Sequence, residues 1–216
     1  MATDADRRPV RGRAVLAAGL ALAAVAIALL VHHWAAPRIA AHEHAARVAR
    51  LASVLGATRF DNDVLDDVIE VRDPERLGTD RPMPVYRARL GGRPVAALIE
   101  VIAPGGYGGS MRLLVAVRPD GRLIGVRVVA HHETPGVGDG IEPGHSDWLA
   151  RFVDRALGDP PVGRWGVRRD GGDFDQYTGA TVTSRAVVGA VRDALGWYDA
   201  NRTVVFTAPP APGGSD

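Results

Sequence analysis

Cysteine is absent from this 216-residue chain and so is lysine; all 26 basic residues are arginine. Without cysteine there is no disulfide, thiolate zinc site, cysteine-ligated iron–sulfur cluster or cysteine nucleophile. Without lysine there is no Schiff-base chemistry and no complete Walker phosphate loop. Chemistry must come from hydroxyls, carboxylates, histidines, backbone groups or a bound cofactor.

What is present begins with one long apolar run. From Ala14 to Val31 the chain reads AVLAAGLALAAVAIALLV, with no polar side chain, and no charge intervenes between Arg13 and Arg38. Eighteen helical residues extend roughly 27 Å, close to the hydrocarbon thickness of a bilayer. Trp34, a residue type favoured at the membrane interface, follows the run. Arg7, Arg8, Arg11 and Arg13 precede it and only Arg38 follows closely, so the positive-inside rule predicts a cytoplasmic N-terminus and an exported remainder. A cleaved signal peptide is the alternative. The run is longer than the usual 7–15 residues, and Trp34, His33 or Ile39 stands where cleavage wants a small residue.

Residues 38–216 carry a net charge near −1, which excludes a nucleic-acid footprint. RIAAHEHAARVARLASVLG has helical character and stops at Gly56, while residues 57–83 show no dominant period. PVYRARL and RPVAALIEVIAP read as strands joined at Gly91–Gly92, and MRLLVAVR and RLIGVRVVAHH as strands joined at Pro119–Gly121. SDWLARFVDRAL predicts a helix capped by Ser146, with Trp148, Leu149, Phe152 and Val153 on one face. A last helix is predicted from Ser184 to about Asn201, with an apolar stripe including Val187, Val191, Ala194, Leu195 and Tyr198. The class is α+β, an antiparallel sheet with packed helices. The expected layout is a cytoplasmic 1–13, a membrane helix 14–34, a juxtamembrane helix and connector 35–83, a domain 84–206 and a disordered tail 207–216.

Ahead of the last helix stands GGDFDQYTGATVTSR. Thr178-Gly179-Ala180-Thr181 is a small-residue turn before a helix N-terminus, where unpaired N–H groups and the helix dipole favour an anion. The plainer reading makes Thr183 or Ser184 a helix cap and the glycine a turn. His131–Asp139, HHETPGVGD, offers two imidazoles and two carboxylates. Adjacent strand residues face opposite ways, however, so His131 and His132 do not readily share a metal, and none is expected. Thr134-Pro135-Gly136 is expected as a tight turn presenting N–H groups and a hydroxyl to a ligand. GGYGG at Gly105–Gly109 lacks GxGxxG spacing and reads as a flexible hairpin connection, with Tyr107 either exposed or stacked on a ligand. No GxSxG elbow or HExxH pair is present, and no catalytic residue is assigned.

Asp175-Gln176-Tyr177-Thr178-Gly179-Ala180-Thr181 resembles the flavinylation motif of the bacterial FMN-binding domain family. In that family a flavin transferase joins FMN, through its phosphate, to the last threonine of the motif; here that is Thr181. HHETPGVGD resembles the HHETPGLGD segment of the G subunit of the Rnf electron-transport complex, departing only at Val137. APGGYGG, MRLLVAV, SDWLARF and the stretch around the TGAT turn are similar to that protein in order and spacing. The resemblance implies covalent FMN on Thr181, with Asp175 as part of the attachment motif. It also implies that Thr178, Gly179, Ala180, Thr183, Glu133, Thr134 and Val137 lie about the cofactor. Electron transfer between ferredoxin and NAD, coupled to ion movement, would then belong to a membrane complex whose other subunits are this chain's partners. The implied location is the inner membrane, with the domain on the periplasmic side. The C subunit of the sodium-pumping NADH:quinone reductase is the related alternative, and a flavin-free membrane-anchored sensing or scaffold domain is a third reading.

Overall fold

A computed structural model describes residues 8–136, 138–142 and 145–211; for residues 8–18, 23, 24, 26, 28, 36, 37, 40 and 139 it describes the backbone. The chain divides into two units, Met1–Arg47 and Val48–Asp216. The first is carried by helix α1 (Arg8–Leu55), whose final turns belong to the second. Within the first unit, Leu20, Leu22, Leu29, Leu30 and Trp34 are all more than 60% exposed, a largely apolar surface. The Arg38 guanidinium lies 3.6 Å from the Trp34 ring centre. Among the described residues no helix is long and apolar enough to cross a membrane. The expected span, 14–34, falls partly on residues whose side chains lie outside that set.

The second unit is built on a five-stranded antiparallel meander, β1 (Val68–Val71), β2 (Met83–Leu90), β3 (Arg93–Gly106), β4 (Gly109–Val117) and β5 (Leu123–Ala130), in spatial order β1-β2-β3-β4-β5. Both expected hairpins are present, with Tyr86 opposite Leu98 in β2–β3 and Val115 opposite Val126 in β4–β5. Because side chains alternate along a strand, the sheet buries two different apolar sets. Val85, Ile99, Val101, Leu113 and Val115 face the last helix, α3 (Thr181–Thr207), through its Val187, Val191, Ala194, Leu195 and Tyr198. Ala88, Ala96, Leu98, Leu114 and Ala116 pack against Leu51, Val54 and Leu55 of the end of α1 and Val64 of the following loop. The end of α1 is closed by Gly56 at φ +55, as its position predicts.

The unpatterned connector contains two further elements. β1 extends the sheet, and the four-residue helix α2 (Pro74–Leu77) is capped by the Asp73 carboxylate on the Arg76 N–H. A four-residue strand is too short to impose a readable period. The expected helix at Ser146–Leu157 is instead a single 3₁₀ stretch, Trp148–Phe152. Beyond it the chain turns at Asp154 (φ 63), and Asp154 and Arg155 pair with Leu123 at the start of β5, at 2.9 and 2.8 Å. That sheet-like pairing ends the helix, leaving Val153 exposed rather than packed.

Helix α3 exceeds its expected limits at both ends. Its C-terminal carbonyls are held by arginines of β2: Arg87 donates to Val205 and Ala208, and Arg89 to Phe206. The tail expected to be disordered from residue 207 is therefore ordered through 211. Thr207 closes the helix, and the Ala211 N–H donates to the Val68 carbonyl (2.7 Å) on the outer edge of β1. The apolar, proline-rich composition of the tail hid backbone partners supplied by distant strands.

Candidate functional site

Three segments meet around one buried carboxylate: the β3–β4 tip, the loop after β5 and the turn that starts α3. The tip is narrow because it is glycine. A Cβ on Gly108 would lie 1.9 Å from the His132 carbonyl oxygen, and one on Gly106 would lie 2.7 Å from Glu133 Oε1. Gly106 and Gly108 of the connection expected to be flexible thus pack closely against the loop, while Tyr107 is 75% exposed.

The loop is organised by His131 and Glu133. His131 Nδ1 accepts the Glu133 N–H (3.1 Å), so Nε2 carries the ring proton and donates to Glu142 Oε1 (2.8 Å). Glu133 is 6% exposed. Its Oε1 accepts the Gly108 N–H at 2.9 Å, and its Oε2 accepts the Thr183 hydroxyl at 2.5 Å. Thr134 starts the expected turn, its carbonyl accepting the Gly138 N–H (3.0 Å) with Gly136 at φ +76. Thr134 is exposed, and Val137 lies outside the described residues.

The attachment-like turn is moored at both ends. The Asp175 carbonyl accepts the Trp148 indole N–H, and its carboxylate pairs with Arg151 and with Arg168 (3.0 Å). Beneath it Trp148, Phe152, Trp165 and Phe174 form an aromatic cluster, with Phe174 4.9 Å from both Phe152 and Trp165. The Tyr177 ring lies flat on Gly140, where a Cβ would come within 2.1 Å of it. Tyr177 and Ala180 close a turn (N–H to carbonyl, 3.0 Å) with Gly179 at φ +84, the glycine-favouring corner of a type II turn. At the far end Ser184 accepts the Tyr177 N–H and donates to the Ala180 carbonyl, both at 2.9 Å.

The four hydroxyls of the turn thereby separate. Thr183 and Ser184 are fully buried and bonded, so neither caps the helix. Thr178 is exposed on the corner, and Thr181 is half-buried at the first position of α3. The N-cap is Ala180, which offers no side-chain acceptor, and no acidic residue lies in the first turn. A 27-residue helix therefore begins with uncapped N–H groups beside the Thr181 hydroxyl, the setting in which a phosphate is stabilised. Gln176 Oε1, close by in sequence, is a buried acceptor with no partner among the described residues. These donors and the orphan acceptor fit a phosphate-bearing, hydrogen-bonding cofactor. Sequence reasoning missed the Glu133–Thr183 bond and the packing duty of Gly106, Gly108 and Gly140; the clustering of glycines in both loops was the available signal.

The antiparallel sheet with packed helices is consistent with a flavin-binding class of domain, and residues 106–196, from the tip through most of α3, match the family described as FMN-binding domain. The match extends to whole proteins. The chain is 45% identical over 209 residues, 97% of its length, to the G subunit of the ion-translocating oxidoreductase complex of Pseudomonas aeruginosa, of which it covers 98%. It is 42% identical to the protein of that name from Shewanella amazonensis, over 90% of this chain and 91% of that one. With the Shewanella baltica protein it shares 38% identity over 94% of this chain and 96% of the relative. The chain belongs to the family formed by the G subunits of ion-translocating oxidoreductase complexes.

Proposed function

We propose that this chain is the FMN-carrying electron-transfer subunit of an Rnf-type ion-translocating membrane complex, with the flavin joined through its phosphate to Thr181 Oγ1. The observation that carries the site is the contrast among neighbouring hydroxyls. Thr183 and Ser184 are buried and bonded, whereas Thr181 stands half-exposed at an uncapped helix N-terminus. Attachment by a flavin transferase forms one P–O bond to Thr181 and breaks the phosphoanhydride of a flavin dinucleotide donor. The nucleoside monophosphate leaves, and the hydroxyl proton passes to the transferase or solvent. The charge remaining on the phosphodiester sits against the first-turn N–H groups of α3.

Bound FMN supplies the redox chemistry, and the protein supplies placement and surroundings. Asp175 and its arginines fix the turn, Gly179 and Ala180 keep it open, and Thr134 belongs to the facing loop. No proton-transferring residue is required for outer-sphere electron transfer, so no catalytic side chain is assigned. We further propose that 14–34 is a single membrane span with the domain on the periplasmic side. The exposed apolar surface of α1 supports the span, and the arginines ahead of it support the orientation.

The test is in-gel flavin fluorescence after denaturation of full chain co-expressed with a flavin transferase. Wild type gives a fluorescent band and Thr181→Ala gives none. A band that persists in Thr181→Ala refutes the site, and a dark wild type beside an active transferase favours the flavin-free scaffold.

A further inference from the structure

We infer that Glu133 and Thr183 are a positioning pair that holds the first turn of α3 from its side, so that its N–H groups stay free for the flavin phosphate. The inference rests on the covalent-FMN reading and explains a conflict within it. A helix start normally depends on a capping side chain, and an uncapped first turn frays. A cap on α3 would occupy the same N–H groups that a phosphate at Thr181 needs. Ala180 supplies none, so the turn must be held some other way.

Ser184 ties the turn to the Tyr177 N–H and the Ala180 carbonyl, and Glu133 supplies the hold from the side. It is the one acid among the buried polar residues described, which are Arg87, Glu133, Thr183 and Ser184. A buried carboxylate persists only where its oxygens are hydrogen-bonded. One oxygen is tied to the β3–β4 tip at Gly108, and the other to the Thr183 hydroxyl in the first turn of α3. The surroundings are shaped for the carboxylate. A Cβ on Gly138 would come within 2.6 Å of Oε2 and one on Gly106 within 2.7 Å of Oε1.

Thr183 follows Thr181 by two residues, about 200° around the helix, so fixing Thr183 inward turns Thr181 outward. The same bond occupies Thr183 and so removes it as a competing acceptor. Glu133 thus acts on the cofactor through Thr183, with both carboxylate oxygens already engaged.

The experiment uses full chain in detergent with purified flavin transferase and a flavin dinucleotide donor. It measures initial transfer rates, the modified residue by peptide mass spectrometry, and amide hydrogen exchange of the unlabelled protein. Thr183→Val keeps shape and loses the donor: transfer is expected to slow at least tenfold in kcat with KM for the chain little changed. Exchange should rise at residues 181–184 while the middle of α3 stays protected. Thr183→Ser keeps the hydroxyl and should stay within about threefold of wild type. Glu133→Gln can still accept from Gly108 while donating to Thr183 Oγ1, and it should also label, which separates geometry from charge. Wild-type rate and exchange in Thr183→Val overturn the pair, as does equal slowing of the valine and serine variants. Loss of labelling in folded Glu133→Gln overturns the geometric account. Wild type labelled at another residue overturns the covalent reading itself, a result distinct from any of these.

Discussion

Arg87 shows how much the domain depends on a single buried charge. Its side chain is 1% exposed and pairs with Asp67, while Nη1 donates to Val205 (3.2 Å) and Ala208 (2.6 Å) at the end of α3. Cations are favoured at a helix C-terminus, and breaking a buried pair from one side is costly. Arg87→Ala should lower the unfolding free energy by about 3–5 kcal/mol in denaturant titration, with α3 losing protection first at its C-terminal end. Tyr198 gives a pH signature. Burial pushes its phenol from 10.0 up to about 12, and its hydroxyl donates to the Arg118 carbonyl. A raised value means the fold favours the neutral phenol. The stability it contributes is complete below about pH 10 and is lost as pH rises through about 12. Tyr198→Phe should flatten the alkaline limb of a pH–stability curve; an unchanged limb would contradict this origin. Tyr198 was legible as part of a helical stripe. Arg87 was not, because in PVYRARL it resembles a solvent-facing strand residue and its helix partners lie 118 and 121 residues downstream.

Among the elements, the β3–β4 tip is where local sequence and tertiary packing diverge most. Its glycines suit a hairpin turn, yet Gly108 is required by the His132 carbonyl that closes over it. Gly108→Ala should destabilise the protein by about 1–3 kcal/mol and reduce flavin labelling, since the displaced tip also loses Glu133. Gly163 has open space around its Cβ position, and Gly163→Ala should be neutral or slightly stabilising when both variants are compared by thermal melting. Equal melting temperatures for the two variants would contradict the packing argument. The long strands and the body of α3 were readable because each repeats its period several times. The 3₁₀ stretch at Trp148–Phe152 was not, since pairing of Asp154 and Arg155 with Leu123 overrides a helical pattern. The start of α3 at Thr181 was equally hidden, being set by Ser184 and Glu133 rather than by a capping residue.

For the whole molecule, the charge and hydropathy of the first 38 residues predict a topology that a reporter can read. Alkaline phosphatase fused after Asp216 should be active, and green fluorescent protein fused there should be dark; the reverse pattern would place the domain in the cytoplasm. At this scale the sequence was most informative about family and chemistry. HHETPGVGD and DQYTGAT each carry several matched residues, and the missing cysteines leave a flavin as the carrier of electrons. It was least informative about how the two motifs meet, because the Glu133–Thr183 bond spans 50 residues. The central claim is that FMN is carried on Thr181, and the absence of lysine makes it simple to test. Trypsin cuts this chain only after arginine, so the candidate hydroxyls fall in one peptide, Asp170–Arg185. Fragmentation of that peptide from the fluorescent protein should place a mass of FMN less one water on the residue between Ala180 and Val182. The same mass on Thr178, Thr183 or Ser184, or an unmodified peptide, would contradict the account.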